Sequence, residues 1–84
     1  MKVKVLFFAR LREQLGSAGE EVELASGVTT VAQLRAQLTA RSTEWRESLE
    51  NRNLRIAVNQ DMAQSDTVLK AGDEVAFFPP VTGG

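Results

Sequence analysis

The residues whose types and spacing could do chemistry stand at the end of this sequence: Pro79-Pro80-Val81-Thr82-Gly83-Gly84. Two successive glycines carry no Cβ, so a carboxylate at Gly84 could pass along a channel too narrow for a side chain. The two prolines set a stiff, extended exit, and four extended residues reach roughly 13–14 Å. At neutral pH such a carboxylate is ionised, with a reference pKa of about 3.5, and it is a poor electrophile. To react it must first become an anhydride-like acyl species, which requires a nucleotide and a partner enzyme. On the glycines alone, a frayed chain end fits equally well.

Other routes to covalent chemistry are poorly stocked. Histidine, cysteine and tyrosine are all absent. That removes the commonest general base, the commonest metal ligand and the thiolate nucleophile. Asp61, Asp66, Asp73 and Glu74 lack the spacing of a calcium loop, and Asp73 is explained by a turn. Gly16, Gly19 and Gly27 form no phosphate cradle. Hydrolytic triads and zinc chemistry are excluded, and no bound metal or cofactor is expected.

The chain of 84 residues suits a single domain. Its composition, 43% hydrophobic and 25% charged, is that of a folded globular chain. Ten Lys+Arg against eleven Asp+Glu leave a net charge of −1, with the arginines scattered among acids. Nucleic acid and an anionic membrane are therefore disfavoured as partners. No apolar run approaches a membrane span and no secretory leader is visible, so a cytoplasmic location is expected.

Hydrophobic periodicity supplies the elements that must carry the tail. Lys2 to Phe8 alternates as a strand, with Val3, Val5 and Phe7 on one face and Lys2, Lys4, Leu6 and Phe8 on the other. Ala9 to Leu15 reads as a short helix closed by Gly16. Glu20 to Leu24 alternates again. Thr30 and Gln33 form a capping box, and Val31, Leu34 and Leu38 make a core-facing stripe. That stripe reaches Trp45 and Leu49 if the helix continues or restarts near Ser42-Thr43. Leu54, Ile56 and Val58 alternate as a strand, Met62-Ala63 as a short edge segment, and Glu74 to Phe78 as the last strand. Pro79-Pro80 ends it. One long helix cannot cover a sheet on both sides. The expectation is therefore an α+β roll, a mixed four- to five-stranded sheet with the helix on one face. Residues 1–80 form the domain, and a flexible, extended tail occupies 81–84.

Three stretches carry a family resemblance: Val5-Leu6-Phe7-Phe8-Ala9 with Leu11-Arg12-Glu13; Ala57-Val58-Asn59-Gln60; and Gly72 to Gly84, ending Phe77-Phe78-Pro79-Pro80-Val81-Thr82-Gly83-Gly84. The sequence resembles ubiquitin-like β-grasp proteins, and within them the MoaD-type sulfur carriers, small subunits of molybdopterin synthase. The resemblance implies that a MoeB-like activating enzyme adenylates Gly84 with ATP and that a sulfur donor protein then supplies the atom that makes it a thiocarboxylate. It implies further that the tail, Val81, Thr82, Gly83 and Gly84, enters a MoaE-like large subunit, in a heterotetramer. There it gives sulfur to cyclic pyranopterin monophosphate to form the molybdopterin dithiolene. The small subunit is non-catalytic in this scheme. Alternatives for the same tail are a protein modifier joined to targets through Gly84, or a sulfur carrier for another pathway such as thiamine.

Strand parity adds a docking surface. If the first and last strands are neighbours, Leu6, Phe8, Ala76 and Phe78 make an outward apolar patch beside the tail, which Met62 could extend. Trp45 or a loop covering the two phenylalanines is the competing arrangement. Arg12 reads first as a solvated helix residue and second as a contact for acidic partner groups. Arg35, Arg41, Arg46, Arg52 and Arg55 read as a solvated surface laced with Glu44, Glu47 and Glu50.

Overall fold

The structure, a computed structural model, describes residues 1–51 and 53–79. Arg52 and the expected tail at 81–84, with Pro80 before it, lie outside the described residues. The elements are strand β1 (Lys2–Phe7), helix α1 (Arg10–Leu15), strand β2 (Gly19–Glu23), helices α2 (Val31–Thr39) and α3 (Thr43–Leu49), and strands β3 (Arg55–Val58), β4 (Asp61–Met62) and β5 (Glu74–Phe78). They form one five-stranded sheet in the order β2-β1-β5-β3-β4. β1 and β5 are parallel, and the other pairings are antiparallel. The roll with a mixed sheet is therefore present.

Of the two courses open to the helical stripe, the chain restarts: α2 closes with the Ala40 N–H on the Ala36 and Leu38 carbonyls, and Ser42 is extended and starts a second helix, so the one long helix is two. The Ser42 hydroxyl accepts from the Trp45 N–H at 3.2 Å, which caps α3. This break re-aims the stripe. Leu49 enters the core, and Trp45 meets Phe7 edge-on at 5.4 Å between ring centroids. Arg41, expected among the glutamates of the helical surface, instead stacks over the Trp45 ring and pairs with Glu20 at 2.7 Å.

The inner face of the sheet follows the period-2 pattern. Val3, Val5 and Phe7 of β1, Val22 of β2, Val75 and Phe77 of β5, and Ile56 of β3 join Leu11, Val31, Leu34, Leu38 and Leu49 in one core. Each fully buried large side chain contributes about 1.5–3 kcal/mol of transfer free energy. The first N–H groups of α2 are all engaged. The Thr30 hydroxyl takes that of Gln33 in the capping box, while the Thr67 and Ser65 carbonyls take those of Val31 and Ala32.

The β3–β4 turn is locked onto the start of β5. Asn59 and Gln60 both have positive φ, 51° and 73°, which matches the mirror-image turn of tight hairpins. The Asn59 amide donates to Asp73 Oδ1 at 2.9 Å and accepts from the Glu74 N–H at 3.0 Å. Asp73 Oδ2 takes the Lys70 N–H at 2.8 Å. The Asn59 and Lys70 hydrogen bonds hold the Asp73 carboxyl below its ordinary value of 3.8. A lowered carboxyl pKa stabilises the fold above that ordinary value, and the contribution disappears as pH falls through the folded pKa. Thermal melts of wild type and Asp73→Ala should therefore differ by a constant amount from pH 5 to 8. The gap should narrow below about pH 4; a gap independent of pH would show that the carboxylate charge has no part in the latch.

Candidate docking face and tail root

The face of the sheet away from the helices is graded by its register. At one end Lys2 stands opposite Glu23, and Lys4 stands between Glu21 and Glu74. The next row is apolar and crosses all five strands: Gly19, Leu6, Ala76, Ala57 and Met62. Beyond it, at the end where the chain leaves β5, come Phe8, Phe78 and Arg55, with the Phe8 N–H bonded to the Phe77 carbonyl at 3.1 Å.

The structure thus brings together the residues that strand parity singled out. Leu6 and Ala76 are register partners, and Phe8 lies at the same end of the face as Phe78. Phe8 is 45% exposed and Met62 is 61% exposed, while Leu6, Ala76 and Phe78 are partly covered. Trp45 does not cover this patch, because it packs on Phe7, which points the other way. Met62 completes the apolar row from the edge strand. Arg12 stands apart from it, exposed on α1, with its carbonyl accepting from the Gly16 and Ser17 N–H groups.

Two backbone features shape the patch. Ala9, directly after Phe8, has φ 54° and ψ −129°, a sparsely populated conformation for a residue with a Cβ, costing roughly 1–3 kcal/mol. It turns the chain from β1 into α1 immediately beyond Phe8. Opposite Leu6, Gly19 leaves room for the leucine side chain. A Cβ there would stand 2.6 Å from the Val5 carbonyl oxygen and 2.9 Å from Leu6 Cδ2.

Sequence reasoning missed Arg55 and Ala57 as members of this face. Arg55 read as part of a solvated surface laced with Glu44, Glu47 and Glu50, whereas the β3–β5 register sets it beside Phe78. The signal was the alternation itself, which puts Arg55 and Ala57 on one side of the strand. It lacked meaning until the neighbouring strand was known. Arg35 is also not simply solvated. It is partly buried, which lowers its pKa, and its guanidinium donates to the Leu49 and Asn51 carbonyls. Among the described residues no group of acidic side chains could hold a metal ion, and no helix is long and apolar enough to cross a membrane. Val81, Thr82, Gly83 and Gly84 lie outside the described residues.

A five-stranded mixed sheet with helices on one face defines the ubiquitin-like β-grasp class. Residues 5–84 match the ThiS family, and the chain belongs to that family. It is 49% identical to the molybdopterin synthase sulfur carrier subunit of Escherichia coli (strain K12), over 98% of this chain and 99% of that protein. A chain of the solved complex of subunits 1 and 2 of molybdopterin-converting factor from Helicobacter pylori 26695 superposes with a TM-score of 0.70. Its identity is 28%, and the match covers both chains fully. Small archaeal modifier protein 1 of H. volcanii has the same fold, with a TM-score of 0.75 and 28% identity over 95% of this chain and 98% of that one.

Replacing Gly19 by alanine should push Leu6 out of its seat and destabilise the fold by about 1–3 kcal/mol. Urea unfolding measures this, and an unchanged midpoint would show that the sheet edge yields freely.

Proposed function

We propose that this chain is the sulfur carrier subunit of a molybdopterin synthase and that Gly84 is its reacting residue. The observation that carries this reading is the apolar face of Leu6, Phe8, Ala76, Phe78 and Met62 at the end of β5 from which the Gly-Gly segment departs. A partner seated there has the tail at hand. Family membership and the names of its relatives support the same reading, and the lack of histidine and cysteine leaves the chain end as the reagent.

In this reading a MoeB-like enzyme docks first, and a Gly84 carboxylate oxygen attacks the α-phosphorus of ATP with loss of pyrophosphate. The acyl carbon is now electrophilic. The outer sulfur of a donor-protein persulfide attacks it, and AMP leaves with the displaced oxygen; a thiol then attacks the donor-side sulfur of the acyl disulfide, releasing the thiocarboxylate and leaving a disulfide on the donor. The thiocarboxylate then enters the MoaE-like large subunit and gives its sulfur to cyclic pyranopterin monophosphate. A dithiolene holds two sulfurs, so two loaded tails are consumed per product. The carrier itself contributes docking and reach, while its partners perform the catalysis. Gly83 and Gly84 admit the tail to narrow clefts, and Thr82 and Val81 span the distance to the domain. Arg12 is an accessory contact for acidic groups of a partner. The reaction belongs in the cytoplasm, with the two subunits assembled as a heterotetramer.

Intact-mass measurement of protein treated with the activating enzyme, ATP and a sulfur source should show one oxygen replaced by sulfur at Gly84. Extending the chain by an alanine should abolish this while leaving the melting temperature unchanged. Persistence of the mass change in the extended chain would overturn the reading. Phe8→Ser should leave the fold intact, since the side chain is outside the core, and weaken binding to the large subunit by about tenfold or more.

A second reading, a modifier joined to lysines through Gly84, is favoured by the likeness to small archaeal modifier protein 1. It predicts a ladder of higher-mass species in immunoblots of native extract, where the carrier gives a single band.

A further inference from the structure

Among the described residues of the outer face, each lysine has a carboxylate residue as a register partner, although Glu23 is bonded to the N-terminal amine, while Arg55 has none. Lys2 has Glu23 opposite, and Lys4 has Glu21 and Glu74 on its two sides. Arg55 has Phe78. Its side chain is exposed, and among the described residues it forms no ion pair. Beside it runs a groove of about 450 Å³ along the β3–β4 edge, bordered by Met62, Gln64, Ser65 and Arg35, with no acidic residue among its described lining. Arg35 is already engaged by the Leu49 and Asn51 carbonyls and lies near Glu50. Among the described residues Arg55 is therefore a cation without an ionic partner at the rim of an apolar patch.

A partner that covers Phe8 and Phe78 also strips water from Arg55. An unanswered buried cation costs more than the contact gains, so a partner lacking a suitable acceptor is rejected. We infer that Arg55 is a specificity contact of the docking face and receives a carboxylate side chain of the large subunit at the rim of the Phe8–Phe78 patch. This rests on the reading of the face as the large subunit's dock, the kind of partner with which the Helicobacter pylori relative was solved. The position also separates binding from chemistry. Gly84 is six residues beyond Phe78, up to roughly 20 Å away when the tail is drawn out. Arg55 acts on encounter and affinity and leaves the reaction at the tail untouched.

The test is calorimetric titration of the recombinant large subunit with wild type, Arg55→Ala, Arg55→Glu and Phe8→Ser, at about 50 mM and 500 mM salt. Screening lengths of about 14 Å and 4 Å separate the two conditions. Arg55→Glu should weaken binding by about tenfold or more at low salt, and Arg55→Ala by less. Both losses should shrink at high salt, with melting temperatures near wild type. Wild-type affinity in both Arg55 variants overturns the inference, as does a loss equal at both salt concentrations. A loss seen only with the activating enzyme assigns the contact to that partner and overturns it too. Failure of wild type to bind the large subunit at all would instead overturn the underlying reading of the face, whereas loss in Phe8→Ser alone would spare that reading and remove only the role of Arg55.

Discussion

The parallel pairing of β1 with β5 is the constraint on which the rest depends. It joins the first strand of the chain to the last in the middle of the sheet, with Val5 beside Val75 and Phe7 beside Phe77. Parallel strands cannot be joined by a tight turn, so everything between them must go round. The helices do so on one side and the β3–β4 hairpin on the other. The Phe7 and Phe77 rings stack at 5.9 Å and lie at the centre of the core. Because β5 is held on both sides, by β1 and by β3, the residue from which the tail departs is anchored by two ladders.

That arrangement also makes the two faces of the sheet unequal. The helices provide one apolar layer, enough to cover one side, and Trp45 commits itself to Phe7 on that side. The other face must remain compatible with water. Lysines and glutamates set side by side achieve this at the Lys2–Lys4 end, and small residues achieve it in the middle, where Gly19, Ala76 and Ala57 present little area. Among the described residues the face carries large exposed apolar groups at the tail end, in Phe8, and at the edge of the middle row, in Met62. Phe8 and Met62 contribute little to the stability of the isolated chain, so their exposure is an expense that only a partner offsets.

Backbone strain marks both ends of the sheet. Ala9 turns in an unfavourable conformation directly after Phe8, and Asn59 and Gln60 turn with positive φ beside the start of β5. Asn tolerates that region and is tied down by Asp73 and Glu74. The Ala9 turn ends β1 where the tail begins, whereas the Asn59–Gln60 turn ends β3 at the opposite end, beside Glu74.

Much of this was legible in the sequence because the relevant rules are local. Alternation in Lys2–Phe8 and Glu74–Phe78 assigns each side chain a face without knowledge of any neighbour. The capping box at Thr30 marks a helix start by itself, and the glycine pair limits the chemistry open to the chain end. The helical stripe did not decide between continuing and restarting, since Leu38, Trp45 and Leu49 suit both; the Ser42 cap and the fit of Trp45 on Phe7 settled it in the folded chain. Membership of the apolar row, the company of Arg55 and the side on which Trp45 packs also required the tertiary structure. Those depend on which strands become neighbours and in what register. Residues twenty to seventy positions apart are aligned by core packing, a property of the whole chain that no single stretch encodes.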